Sequence, residues 1–130
     1  MSHAYDGRAR RGLPHLELAL KLSSYDEYAG RFMAAIAEAH LFLGEHDKAA
    51  EWGSRALRQP RSGHTSRRQA VYAAALAHLG RIEEAQQVVR DLVRDWPNFT
   101  ILLHCQSLPP TDPDYLSRYA EGLRKAGLPE

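Results

Sequence analysis

Leu43-Gly44-Glu45-His46-Asp47-Lys48-Ala49-Ala50 and Leu79-Gly80-Arg81-Ile82-Glu83-Glu84-Ala85-Gln86 are two copies of one pattern, set 36 residues apart from Gly44 to Gly80. The first copy runs on to Ala56-Leu57 and Pro60, the second to Leu92-Val93 and Pro97. Gly44 pairs with Gly80, and Ala49 with Ala85. A period of this length built from two helices is the sequence signature of an α-solenoid, in which each repeat buries its apolar face only against its neighbours.

Outward from these copies the chain reads as helices throughout. Phe32, Ile36, His40 and Leu43 fall at helical spacing and form one stripe ending at Gly44. Ser24-Tyr25-Asp26-Glu27 is a capping box that opens this helix, and Ser66-Arg67-Arg68-Gln69 is a second that opens its counterpart. The partner helix of the first copy runs from about His46 to Arg58, with Ala49, Trp52, Ala56 and Leu57 inward. The third long helix buries Tyr72, Leu76 and Leu79, with Ala75 for close approach. The next presents Ile82, Ala85, Val88, Val89, Leu92 and Trp96. A helix from about Phe99 to Ser107 carries Ile101, Leu102 and Leu103. Asp112-Pro113 starts the last helix, with Asp as N-cap and Pro in the first turn, and Gly127 with Pro129 ends it. Its inward residues are Tyr115, Leu116, Tyr119 and Leu123. No segment alternates with period two, so no strand is expected.

Two small-residue types set the geometry. Gly44 and Gly80 let the chain reverse between antiparallel helices in two or three residues. Ala49 and Ala85 stand where helices cross closely, and a larger side chain there would push the helices apart.

At the N-terminus residues 1–13 are polar and rich in Gly and Arg, and are expected to be poorly ordered, with a short helix from Pro14 to about Leu22. The helical domain is then 14–130, with repeats at about 25–60 and 65–97 and a C-terminal cap at about 98–130. Leu16, Leu18, Leu20 and Leu22 wrap around the first helix. One stub cannot bury all four, which leads to the expectation of a homodimer or a partner at that end.

Composition narrows the function classes. The 130 residues carry 44% hydrophobic and 25% charged residues and a net charge of +1, so bulk charge does not point to nucleic acid or a membrane. Nineteen alanines favour closely packed helices. A single cysteine, Cys105, excludes an internal disulfide and a cysteine-cluster metal site. No apolar run approaches the roughly 20 residues of a membrane-spanning helix, and no targeting segment is visible, so the expectation is a cytoplasmic chain. None of the seven histidines is paired at ligand spacing with a nearby acid or Cys. No phosphate loop, nucleophile elbow or carboxylate pair is present. No cofactor, no metal and no catalysis are expected.

Gly44/Ala49/Ala56/Pro60 and Gly80/Ala85/Pro97 resemble the pattern of tetratricopeptide (TPR) repeats. Met33 and Ala37, then Gln69 and Ala73, replace the Trp and second Gly of that pattern. Gly53 and Val89 replace its second-helix aromatic. Ala19-Leu20-Lys21-Leu22 looks like the tail of a truncated earlier repeat. A narrower resemblance rests on Asp112-Pro113-Asp114-Tyr115-Leu116-Ser117-Arg118-Tyr119, on Glu121-Gly122-Leu123-Arg124-Lys125-Ala126-Gly127-Leu128-Pro129, on Trp52-Gly53 and on Ala77-His78-Leu79-Gly80-Arg81. These look like the C-terminal TPR region of bacterial class III adenylate/guanylate cyclase-type proteins. Their catalytic domain has no counterpart in this sequence, and its activity is not carried over.

The resemblance implies an all-α, TPR-like right-handed α-solenoid of about seven helices, with two full repeats and partial terminal repeats. It implies a non-catalytic protein–protein interaction module, a scaffold or regulatory protein binding a protein or peptide on its concave face. By repeat position that face comprises Arg31, Ala34, Glu38, Leu41 and Phe42, then Arg67, Ala70, Ala74, Ala77 and His78. Six arginines and no acid lie between Glu51 and Glu83. The basic edge Arg55, Arg58, Arg61, Arg67 and Arg68 supplies the alternative, anion or nucleic-acid binding. Nucleic acid is the less favoured partner, because a solvated inter-repeat edge explains the arginines as well.

Overall fold

The computed structural model describes residues 3–22, 29–59, 66–108 and 112–130, the side chains of residues 3–9 excepted. Seven helices and no strand are found among the described residues. They are α1 (His3–Leu22), α2 (Ala29–Phe42), α3 (His46–Leu57), α4 (Ser66–His78), α5 (Ile82–Asp95), α6 (Ile101–Ser107) and α7 (Pro113–Lys125). The first expected capping box and the linker after Pro60 lie outside the described residues.

The two sequence copies fold alike at their turns. Gly44 and Gly80 adopt φ of 78° and 81°, a region open to glycine and strained for other residues. The Glu45 N–H donates to the His40 carbonyl at 2.9 Å, and the Arg81 N–H to the Leu76 carbonyl at 2.9 Å. These bonds satisfy carbonyls that the helix end would leave open. Gly127 (φ 93°) closes α7 the same way, with the Leu128 N–H donating to Leu123 at 3.0 Å.

Consecutive helices pack on one another from α1 to α5. Ala49 and Ala85 are fully buried, as the crossing argument requires. Gly53, which stands where the repeat pattern has an aromatic, lets α4 approach: a Cβ there would lie 3.1 Å from the Tyr72 Cβ. The core forms two clusters, one around Leu76, Leu92, Tyr119 and Leu123, the other around Leu20, Met33, Ile36 and Ala56. Trp52 packs against both.

Three expectations are corrected. First, α1 begins at His3 rather than Pro14, and Pro14 lies inside it. Ala4, Arg8, Ala9, Arg10 and Arg11 are strong helix formers, and the interior proline leaves only one carbonyl without its usual donor. Second, Leu79 is 38% exposed, and Leu102 and Leu103 are 60% and 57% exposed, while Ile101 alone of its run is buried. Successive residues point about 100° apart on a helix, so a run of three cannot face one neighbour. Third, Gln69 does not close a capping box. Its side chain is buried, its Nε2 donates to Asp95 at 3.1 Å, and its Oε1 has no partner.

The placement of the last helix bears on function. The C-terminal cap helix α7 packs on α4, a helix of the second copy. The reason is the surface that α4 presents: Ala70, Ala74 and Ala77, spaced four and three apart on one side, are all at most 3% exposed. An apolar face this broad requires cover, and the Tyr115, Tyr119 and Leu123 stripe of α7 supplies it. The chain end secures the arrangement, since the Ile101 N–H donates to the Pro129 carbonyl at 2.8 Å.

Candidate functional site

The face made by α2 and α4 divides into a covered half and an open half. In the covered half, Leu41, Ala70, Ala74 and Ala77 are buried in the same core as Tyr115 and Tyr119. Phe42 is half-buried, its ring 4.8 Å from that of Tyr115. The His78 Nε2 lies 2.8 Å from the Arg118 carbonyl, and its ring stacks on His46 at 4.7 Å. Of the ten residues read as a concave binding surface, these six are therefore buried or half-buried in the fold, and α7 lies directly against Phe42, Ala74 and His78.

The open half holds the other four: Arg31, Ala34, Glu38 and Arg67. With Ala35 and Arg68 they line a groove of about 360 Å³. Arg67 grips Glu38 with both prongs of its guanidinium, Nη2 to Oε1 at 2.7 Å and Nε to Oε2 at 2.5 Å. This fork ties α4 to α2 across 29 positions of sequence. The hydrogen bonds it donates to Glu38 hold the Arg67 pKa above its ordinary value.

Arg68 behaves differently from its neighbour. It is 4% exposed, and its Nη2 is buried without a hydrogen-bond partner. Gly30 of α2 makes room for it, since a Cβ at that position would lie 2.5 Å from the Arg68 Nη1. Burial, and then the charge on Arg31, lower the Arg68 pKa from its usual value. Arg68 was legible in the sequence only as part of a basic edge. The signal that marks its seat is Gly30, a glycine inside a helix and so a sign of close approach.

The described arginines of the basic edge have different surroundings. The Arg55 guanidinium lies over the Trp52 ring at 4.2 Å. Arg58 is exposed beyond the end of α3, in a hollow it shares with Asp47 and Glu51. Arg61 lies outside the described residues. Arg67 is paired with Glu38, and Arg68 is buried. Arg81 pairs with Glu84 at 2.6 Å. A strip of free cations that could track a phosphate backbone is not formed by the described members of the set.

Two further polar groups are accounted for by packing. The His104 Nε2 lies 2.7 Å from the Tyr119 hydroxyl, and burial, with a smaller push from Arg67, lowers the His104 pKa to about 4. The ring is therefore neutral at pH 7. Cys105 is half-buried, and burial pushes its thiol pKa up, away from nucleophilic character. Among the described residues no group of His, Cys, Asp or Glu is placed to hold a metal ion, and no helix is long and apolar enough to cross a membrane. Comparison with models of known protein families, with curated proteins and with solved structures found no match.

Proposed function

We propose that this chain is a non-catalytic, TPR-like interaction module that holds a protein or peptide segment in the groove between α2 and α4. The observation that carries the reading is the division of that face. The chain covers the alanine half with its own α7 and leaves the polar half, lined by Arg31, Ala34, Ala35, Glu38, Arg67 and Arg68, open. The doubled helix–turn–helix with matching Gly44 and Gly80 turns supports the repeat assignment. The dispersed arginines weigh against nucleic acid.

A photo-crosslinking amino acid at position 34, compared with one at position 83 on exposed α5, tests the reading in the native cell. A discrete adduct from position 34 and none from position 83 is expected. Equal labelling from both positions, or none from position 34, would overturn it.

A homodimer through the N-terminal end belongs to the same proposal. Leu18 and Leu22 are 56% and 80% exposed on α1, one helical turn apart, and a second copy would cover them.

A further inference from the structure

We propose that the α2–α4 groove takes a carboxylate of an acidic side chain on the bound segment, with the buried Arg68 guanidinium as its cationic anchor. The inference rests on the interaction reading above and names the chemistry of its ligand.

The argument starts from an imbalance. A buried guanidinium without a full set of acceptors is costly, because it has lost water and gained nothing in exchange. Arg68 is in that position at Nη2. The groove lining contains three arginines and a single acid, Glu38, whose two oxygens are both engaged by Arg67. Arg68 is thus a cation of the lining that Glu38 does not serve, and its Nη2 is the buried nitrogen left without an acceptor. An incoming oxyanion would meet a guanidinium already seated in the space beside Gly30 and already desolvated. Both features raise the strength of a charged hydrogen bond and lower the ordering cost of making it.

The surroundings select the kind of oxyanion. A carboxylate is planar, singly charged and matched to one guanidinium edge. A phosphate dianion carries more charge and more acceptors than one anchoring fork can serve. Ala34 and Ala35 form an apolar wall along which the methylenes of a Glu or Asp side chain can lie.

The test is a titration of the whole chain, at fixed ionic strength, followed by NMR at the Gly30 amide and the Arg68 Nε–H. The probes are the peptide acetyl-Ala-Glu-Glu-Ala-amide, its counterpart with both Glu replaced by Gln, sodium phosphate, and phosphatidylserine vesicles. Saturable shifts with the glutamate peptide and none with the glutamine peptide are expected. Arg68→Gln should weaken binding by about tenfold or more, the usual scale for losing a hydrogen bond to a charged group. Arg68→Lys should fall between the two, and Gly30→Ala should weaken binding by displacing the guanidinium.

Thermal melts separate this role from a structural one. Without peptide, Arg68→Gln should melt at or above the wild-type temperature, because it removes an unsatisfied buried charge. Peptide should raise the melting temperature of the wild type and leave that of Arg68→Gln unchanged. Unaltered affinity in Arg68→Gln overturns the proposal. So does tighter binding of phosphate or of the vesicles at the same resonances. If Arg68→Gln still crosslinks its partner through position 34 at wild-type yield, the carboxylate assignment falls and the wider interaction reading stands.

Discussion

The imidazole Nε2 of His78 lies 2.8 Å from the main-chain oxygen of Arg118. The carbonyl can only accept, so Nε2 carries the proton and donates. This bond joins the end of α4 to the middle of α7, 40 residues on. Close beside it Gly122 lies against the same ring, with no room for a side chain. The two contacts hold α7 against the end of α4.

Gly122→Ala should therefore loosen α7. Its Cβ would stand 2.8 Å from the His78 Nε2 and 3.2 Å from the Ala74 carbonyl oxygen. Overpacking of this kind costs roughly 1–3 kcal/mol. Gly12→Ala in α1, where nothing lies within 4 Å, should instead stabilise by roughly 0.5–1 kcal/mol through helix propensity. Urea unfolding of the two variants should shift the midpoint in opposite directions.

Ala49→Leu and Ala85→Leu test the helix crossings. Both alanines are fully buried, and each substitution should destabilise by roughly 1–3 kcal/mol. Melting curves of both variants within a degree of the wild type would remove the equivalence of the two copies.

Deleting residues 111–130 should uncover the α4 alanines and leave the Ile101 N–H without its Pro129 acceptor. Leu102 and Leu103 are already exposed and contribute little to the change. Aggregation at micromolar concentration is the expected outcome, read by light scattering. A truncated chain that stays monomeric with an unchanged melt would show that α7 is not needed as cover.

Acid should weaken the fold through His104. Its pKa is lowered by burial to about 4, against 6.5 for the free side chain, so the folded state favours the neutral ring. The contribution is fully present above pH 6.5 and is lost as pH falls from 6.5 through about 4. The full difference is on the order of 3 kcal/mol. His104→Gln should lower stability at pH 7 by breaking the 2.7 Å contact with Tyr119, and should flatten the pH dependence between 6.5 and 4. Denaturant midpoints at a series of pH values measure both effects.

Dimerisation is read by sedimentation across concentration. Leu18→Glu and Leu22→Glu should shift the chain toward monomer without unfolding it. Leu20→Glu should unfold it, because Leu20 is 8% exposed in the α2 cluster. A wild-type chain that is monomeric at high micromolar concentration would end the dimer proposal.

Local patterns in the sequence determined most of the secondary structure. Gly44, Gly80 and Gly127 end helices because only glycine takes their left-handed conformation without strain. Asp112 and Pro113 start α7 because a side-chain cap and a missing N–H suit a first turn, and the Asp112 Oδ1 accepts from the Asp114 N–H at 3.0 Å. Such causes act within five or six residues and are written there. The placement of α7 was not legible, because its apolar stripe fits any apolar face, and the choice of α4 depends on which alanines the other helices leave uncovered. Arg67 and Arg68 show the same limit more sharply. They are identical in type and adjacent in sequence, yet one pairs with Glu38 at the surface and the other is buried against Gly30. A helix turns about 100° per residue, so neighbours in sequence face different surroundings. Only the packing of α2 on α4 decides which guanidinium meets a carboxylate and which is left waiting for one.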